Sequence, residues 1–145
     1  VCAVLVRTEE EFGCTLMFII GEEKATLLAD LIIPMDLSGM DEELRMQIRD
    51  SALAEQGNII LSAFRNALAQ VAGWVLPSST PSVAEGMLGS LMNIVASMFG
   101  VMGDSAMLVK TSLHIKDLDE DLGGTVIMVP DPGALEILLK RLGVL

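Results

Sequence analysis

Two short apolar segments near the start of the chain constrain its fold more than any other feature. The segments 1–6 and 14–20 are apolar at odd and even positions alike, and the charged turn 7–13 separates them. Because alternate side chains of a strand point to opposite faces, this pattern predicts a β-hairpin whose two faces both need cover. The sequence therefore predicts a sheet with other elements packed on each side.

The later segments supply candidates for that cover. Helical spacing predicts a helix over 22–33, ended by Pro34, and a long helix over 41–71 with acidic residues at its start and Gly73 after its end. Further segments predict a helix beginning near Pro81, a second hairpin and a terminal helix, over the ranges 81–98, 107–115, 124–129 and 131–142. We expect one α+β domain over residues 1–145, a mostly antiparallel β-sheet packed by two long helices.

Composition excludes several classes of function. The chain has 145 residues, a hydrophobic fraction of 52%, ten methionines and no tyrosine, so it is long enough for one aliphatic core. Its net charge of -11 argues against a nucleic-acid partner and against an anionic membrane surface, since both need a basic face. A partner that presents positive charge is compatible with this balance.

Membrane insertion and metal binding are both disfavoured. The eighteen residues from Gly86 to Gly103 carry no charge, which reaches the lower limit for a spanning helix, but glycine, serine and asparagine recur within them. A buried helix is the better interpretation. Cys2 and Cys14 would not be neighbours across the hairpin, so we expect two free buried thiols, and with one histidine they make no convincing zinc site.

The long helix carries a polar stripe. Ser51, Glu55 and Asn58 fall within an arc of roughly 60° at about 100° per residue. On the opposite side lie apolar residues that we expect to be buried: Met46, Leu53, Ile60, Phe64, Ala67 and Val71. Gly57 and Asn58 are unusual inside a helix, since Gly costs roughly 1 kcal/mol relative to Ala. Gly57 falls on the inner side, where it would let a neighbouring helix approach closely.

The same residues carry a resemblance to a known family. Ser51, Glu55 and Asn58, spaced as Ser-x-x-x-Glu-x-x-Asn and followed after twenty-two residues by Pro81, resemble the active-site signature of the CheC/CheX/FliY family of chemotaxis phosphatases. The surrounding sequence at residues 54–59, Ala-Glu-Gln-Gly-Asn-Ile, is also similar to that of the family. A four-residue pattern at this spacing is a specific signal, and the similarity extends through the final strands.

The resemblance implies a role for each motif residue. It implies that Glu55 and Asn58 are catalytic, with Asn58 orienting a water that attacks the phosphoryl-aspartate of a CheY-like response regulator. Glu55 would pair with a lysine of that regulator. Ser51 and Gly57 would support the site, and Pro81 would shape its rim by setting where the next helix begins. Without the resemblance, Glu55 and Asn58 would be read as an ordinary solvated helix face.

The resemblance also implies a cofactor requirement, a cellular location and possible partners. The Mg²⁺ ion would belong to the regulator, so the chain would need no cofactor of its own, and it would act in the cytoplasm. The alternative is a non-catalytic adaptor of the same fold that binds a response regulator or the receptor deamidase CheD. The family usually has an additional N-terminal part, so we expect either an upstream segment or a shortened relative. The apolar outer faces of the first strands favour a homodimer or a covering segment.

Overall fold

The architecture is an α/β/α sandwich around one antiparallel sheet. The computed structural model describes residues 1–77, 79–87, 89–93, 107–110, 114 and 121–144. The elements within them are β1 (Cys2–Thr8), β2 (Cys14–Ile20), α1 (Glu22–Ile32), α2 (Glu42–Ala72), β3 (Ser82–Glu85), α3 (89–93, as far as it is described), β4 (Met107–Lys110), β5 (Thr125–Pro130) and α4 (Ala134–Arg141). The α+β fold predicted from the sequence is confirmed.

The predicted hairpin forms the centre of the sheet. β1 and β2 pair antiparallel over their whole length, from Cys2 opposite Ile20 to Thr8 opposite Cys14. The strand order is β3-β1-β2-β5-β4, and every neighbouring pair is antiparallel. Because β1 and β2 are both interior strands, their apolar character on two faces matches their position.

Both faces of the sheet are covered, as the apolar strands require. One face contributes Val4, Val6, Leu16, Phe18 and Met128 to a core shared with α1, α2 and α4. The other face contributes Ala3, Leu5, Met17, Ile19 and Ile127, packed with Leu91 and Met92 of α3. The apolar residues that favoured a homodimer are thus buried within one chain, and a homodimer remains a prediction without their support.

The ends of α2 are fixed by local signals. The Asp41 side chain accepts hydrogen bonds from the backbone N–H groups of Glu43 (2.8 Å) and Leu44 (3.3 Å), which satisfies two donors at the helix start. Gly73 ends the helix in the left-handed conformation, with a φ of 70°. The Arg141 Nε donates to the carbonyl oxygen of Ala72 at 2.5 Å, placing a cation at the negative end of the helix.

The neighbour of Gly57 is a strand and not a helix, so that detail of the sequence prediction was wrong. A Cβ built on Gly57 would lie 2.5 Å from Cγ2 of Val4 and 2.6 Å from its Cβ. Val4 is 2% exposed at the centre of β1 and has no room to move aside. Glycine at this position therefore lets the α2 backbone lie directly on the sheet.

The predicted buried face of α2 is correct only in its middle. Leu53 is buried and Ile60 and Phe64 pack on the core, but Met46 and Val71 are 52% and 71% exposed and Ala67 is exposed as well. A helix of 31 residues is about 46 Å long, whereas a strand of seven residues spans about 23 Å. Both ends of α2 therefore extend beyond the strands on which its centre packs.

The segment after Pro81 also differs from its prediction. The sequence predicts a helix beginning near Pro81, but residues Ser82–Glu85 form β3, an edge strand on β1. Proline is tolerated directly before an edge strand because its missing N–H removes no ladder hydrogen bond. Gly86, with a φ of 149°, turns the chain, and the helical residues that the structure describes next begin at 89. The end of the predicted helix, 94–98, lies outside the described residues.

The two cysteines are buried and unpaired, as predicted. Burial raises the pKa of Cys2 from its ordinary value near 9 to about 11, with the charges of Glu85 and Asp50 adding to the shift. Burial likewise raises the pKa of Cys14 to about 11, although the Thr8 hydroxyl partly offsets the shift. Among the helices that the structure describes, none is long and apolar enough to span a membrane.

The contact of Gly57 with Val4 predicts an energetic coupling between the two positions. Gly57→Ala gains about 1 kcal/mol of helix propensity but forces the new methyl group into Val4, a clash that costs about 1–3 kcal/mol. We therefore expect a net loss of unfolding free energy in the wild-type background. With Val4→Gly present, which removes the Cβ as well as both Cγ atoms, the same substitution should be neutral or stabilising. Denaturant unfolding of the four chains measures the coupling, and a stabilising Gly57→Ala in the wild-type background would contradict the close approach.

Candidate functional site

The motif residues on α2 share one outward face. Ser51 and Glu55 are exposed and Asn58 is half-buried, so all three present their side chains toward the surface. Asn58 is the third residue after Glu55, about 4.5 Å further along the helix axis. Within the described residues, neither side chain makes a hydrogen bond. The carboxylate and the amide are thus available to an external partner.

Buried residues on the opposite face of α2 hold Glu55 and Asn58 in place. Leu53, Gly57 and Leu61 are buried in one row that points at the sheet, and they bracket Glu55 and Asn58 along the chain. Leu61 is fully buried, and Gly57 rests on Val4 as described above. Because a helix backbone is stiff over two turns, this buried row fixes the direction in which Glu55 and Asn58 project.

The strand that follows Pro81 lies beside the same part of β1. Val83, two residues after Pro81, lies opposite Val4 in the pairing of β3 with β1. Val4 is also the residue that contacts Gly57. Gly57 and the strand that follows Pro81 therefore meet at one residue of β1 although they are distant in sequence. Pro81 acts here through an edge strand and not through the start of a helix.

The loop that leads to Pro81 is tied to the far end of β1. The Ser79 backbone N–H donates to the carbonyl oxygen of Arg7 at 2.9 Å, and the Arg7 backbone N–H donates to the Ser79 hydroxyl at 2.9 Å. Nearer α2, the indole of Trp74 stacks on Phe12 with ring centroids 5.2 Å apart. The connection between α2 and β3 is thereby held at several points.

Arg7 anchors this end of the sheet with its side chain as well. Its guanidinium binds both carboxylate oxygens of Asp131, with Nη1 to Oδ1 at 2.6 Å, and its Nε donates to Glu9 at 2.8 Å. These carboxylates, Asp131 first, raise the pKa of the Arg7 guanidinium above its ordinary value. The pair joins β1 to the segment between β5 and α4, so it belongs to the scaffold and not to the reactive face.

One exposed row on α2 was missed by the reading of the sequence. Positions spaced by four from Ser51 and Glu55 continue through Ile59, Ala63, Ala67 and Val71, and all of them are exposed. Ile59 is 57% exposed although it directly follows Asn58. The spacing of four was visible in the sequence, but only the position of α2 on the sheet shows that these residues are exposed, Ala67 and Val71 because the end of the helix extends beyond the strands.

The chemistry available at this face is limited to positioning and hydrogen bonding. An amide accepts and donates hydrogen bonds to a water, and a carboxylate pairs with a cation. His114 lies in an isolated bridge with Asp121 and not on α2, so it offers Ser51 no adjacent base. In the described part of the chain, no group of three or more His, Cys, Asp or Glu residues could hold a metal ion.

The fold and the motif together resemble those of CheC-like proteins. No family model matches the chain. Its sequence is 26% identical to the CheY-P phosphatase CheC of Bacillus subtilis over 146 aligned positions, covering 99% of this chain and 68% of that protein. The resemblance that the motif carries in the sequence is confirmed by this similarity along nearly the whole chain.

Solved structures share the fold. The CheX in a complex of CheX, CheY, BeF3 and Mg²⁺ from Borrelia burgdorferi matches with a TM-score of 0.61 and 21% identity, over 89% of this chain and 75% of that one. FliY of Thermotoga maritima matches with a TM-score of 0.64 and 15% identity, over 98% of this chain and 70% of that one. The CheC-like α+β fold predicted from the sequence is thus confirmed.

Proposed function

We propose that this chain hydrolyses the phosphoryl-aspartate of a CheY-like response regulator in the cytoplasm of a motile prokaryote. The observation that carries the proposal is the pair formed by the exposed Glu55 and the half-buried Asn58 on one rigid face of α2, at the spacing of the family signature. The sequence similarity to a CheY-P phosphatase supports it. So does the shared fold with a CheX that was solved in complex with CheY.

The reaction requires few catalytic groups from the enzyme. A water oxygen attacks phosphorus, the bond between phosphorus and the aspartyl oxygen breaks, and inorganic phosphate and the free aspartate carboxylate are the products. The acyl phosphate is already reactive, so placing the water in line and stabilising the spreading charge are the main tasks. The regulator's own Mg²⁺ supplies charge stabilisation at the phosphoryl group.

Asn58 performs the positioning. Its amide oxygen accepts a hydrogen bond from the attacking water while its NH₂ group donates to a second acceptor, so the water is oriented without being deprotonated by the enzyme. The half-buried base of the side chain and the buried Gly57 beside it limit its movement. A convex helix suits this task, since the reacting groups lie in the partner's cleft.

Glu55 fixes the orientation in which the regulator binds. The carboxylate lies about one turn N-terminal to Asn58 on the exposed face, where it pairs with a lysine of the regulator. A charge pair that is desolvated between two proteins aligns them more strongly than one left in water. Asn58 therefore acts in catalysis, and Glu55 acts in aligning the two proteins.

Replacement of Asn58 tests the catalytic assignment. We expect Asn58→Ala to lower the saturated rate of phosphate release from phosphorylated Bacillus subtilis CheY by at least 100-fold, because the attacking water loses its orientation. Asn66→Ala is the matched control, since Asn66 is an exposed asparagine two turns further along α2. The control should retain the wild-type rate. The measurement is phosphate release at saturating concentrations of the chain.

Two results would contradict the catalytic assignment. Equal losses in Asn58→Ala and Asn66→Ala would show a general disturbance of α2. A folded wild-type chain that binds phosphorylated CheY without accelerating phosphate release would instead favour the non-catalytic adaptor.

Replacement of Glu55 separates docking from chemistry. We expect Glu55→Gln to raise the half-saturating concentration about tenfold and to leave the saturated rate within about twofold, since a charge pair is lost but the water-orienting amide remains. Glu23→Gln, an exposed carboxylate on α1, should change neither value. A fall in the saturated rate with unchanged affinity would contradict the docking role and place Glu55 in the chemical step.

A further inference from the structure

A cavity between α1 and the start of α2 is lined by two arginines. Arg45 and Arg49 lie about one turn apart on α2, and both line this cavity, whose volume is about 330 Å³. The chain has 9 basic residues against 20 acidic ones, so two cations at one cavity depart from its average composition. The remaining lining residues come from the end of α1 and the loop after it: Asp30, Ile33, Met35, Asp36, Leu37 and Ser38.

The Arg45 guanidinium lacks an acidic partner and a full set of acceptors. Its Nη2 donates to the carbonyl oxygen of Met40 at 3.3 Å, which is long for a hydrogen bond. Its Nε is buried and has no hydrogen-bond partner among the described residues. The ion pairs of this part of the chain do not include Arg45. A buried charged donor without an acceptor is costly, so Arg45 indicates an acceptor from outside the chain.

Arg49 brings a second guanidinium to the same cavity. Its Nε and Nη2 both donate to Oδ1 of Asp30, at 3.2 Å and 3.0 Å. One carboxylate oxygen therefore takes both of these hydrogen bonds, and the Nη1 of Arg49 donates to no described residue. Because side chains four residues apart are neighbours on a helix surface, an anion beside Arg45 also lies near Arg49.

The two aspartates of the cavity limit the charge of that anion. Asp30 is paired with Arg49, and Asp36 accepts a hydrogen bond from the backbone N–H of Ser38 at 2.9 Å. This hydrogen bond lowers the pKa of Asp36, which is therefore ionised at neutral pH. A doubly charged phosphate would face both carboxylates. A single carboxylate carries less charge, and its two oxygens match the planar Nε–Nη edge of arginine.

The apolar part of the lining indicates what the carboxylate is attached to. Ile33 and Leu37 are each 9% exposed, and Met35 is 53% exposed. An alkyl group placed against these side chains is removed from water, and the methionine side chain adapts to its shape. A cavity of this volume is at the small end of the range for ligand pockets, so it suits a small molecule.

We propose that this cavity binds a small aliphatic carboxylate, whose oxygens accept hydrogen bonds from the guanidiniums of Arg45 and Arg49. Its alkyl group lies against Ile33, Met35 and Leu37. The site is separate from the candidate catalytic pair, because Glu55 is the tenth residue after Arg45, about 15 Å further along the helix axis. It adds a ligand site to the chain and does not depend on the proposed phosphatase activity.

Titration with isocaproate, a branched aliphatic carboxylate, tests this site. Isocaproamide is its uncharged match, and acetate is a carboxylate without the larger alkyl group. Each is added to the isotope-labelled chain, and nuclear magnetic resonance follows the Nε–H signals of the arginines. Arg45→Gln removes the cation, and Arg45→Lys keeps the charge but loses the planar edge. Lys140→Gln, which removes an exposed cation of α4, is the matched control.

We expect isocaproate to shift the Arg45 Nε–H signal and to bind about tenfold more tightly than isocaproamide or acetate. Arg45→Gln should weaken binding about tenfold and Arg45→Lys about fivefold, because the charge or the planar pair of donors is lost. Lys140→Gln should stay within about twofold of the wild-type affinity.

Three results would overturn the proposal. Equal binding of isocaproate and isocaproamide would show an apolar cavity without a carboxylate site. Tighter binding of inorganic phosphate would assign the arginines to another class of anion. An unshifted Arg45 signal at about 20 mM isocaproate, in a folded chain, would show that water alone satisfies Arg45. Phosphate release from CheY is measured separately, so none of these results bears on the proposed function.

Discussion

The contact between the backbone of α2 at Gly57 and the side chain of Val4 on β1 is the constraint on which the site depends. It brings the helix onto the sheet without an intervening side chain, at the turn that carries Glu55 and Asn58. Val4 is also opposite Val83 in the edge strand that follows Pro81. The close approach therefore fixes the distance of α2 from the sheet and the side of the helix that faces away from it. Both are fixed beside the edge strand that follows Pro81.

The residues of α2 that pack on the sheet and those of the candidate site lie on opposite sides of the helix. The inner row of α2 is buried against the sheet, which is itself covered on its second face, so the helix has little freedom to shift. The outer side carries the amide and the carboxylate. A rigid convex element of this kind is suited to completing a site that another protein provides.

Local signals allowed most of the fold to be predicted. The hairpin, the long helix, its Asp41 cap and its end at Gly73 follow from periodicity and capping chemistry within a few residues. What the sequence could not reveal depends on distant partners. β3 is a strand only because the edge of β1 accepts it, and Val4 and Gly57 are 53 positions apart. The exposure of Ala67 and Val71 likewise depends on where the sheet ends beneath α2. The site residues were found through their motif, and their roles remain predictions.

Paramagnetic broadening of the Asn58 side-chain amide tests the central claim most directly. In a complex with beryllofluoride-activated CheY, Mn²⁺ in place of Mg²⁺ broadens nuclear magnetic resonance signals of groups close to the metal. Asn66 is the internal reference, since eight residues of helix place it about 12 Å further along α2. We expect the Asn58 NH₂ signals to disappear while those of Asn66 keep much of their intensity. Equal broadening, or stronger broadening at Asn66, would show that Asn58 does not enter the phosphorylation site.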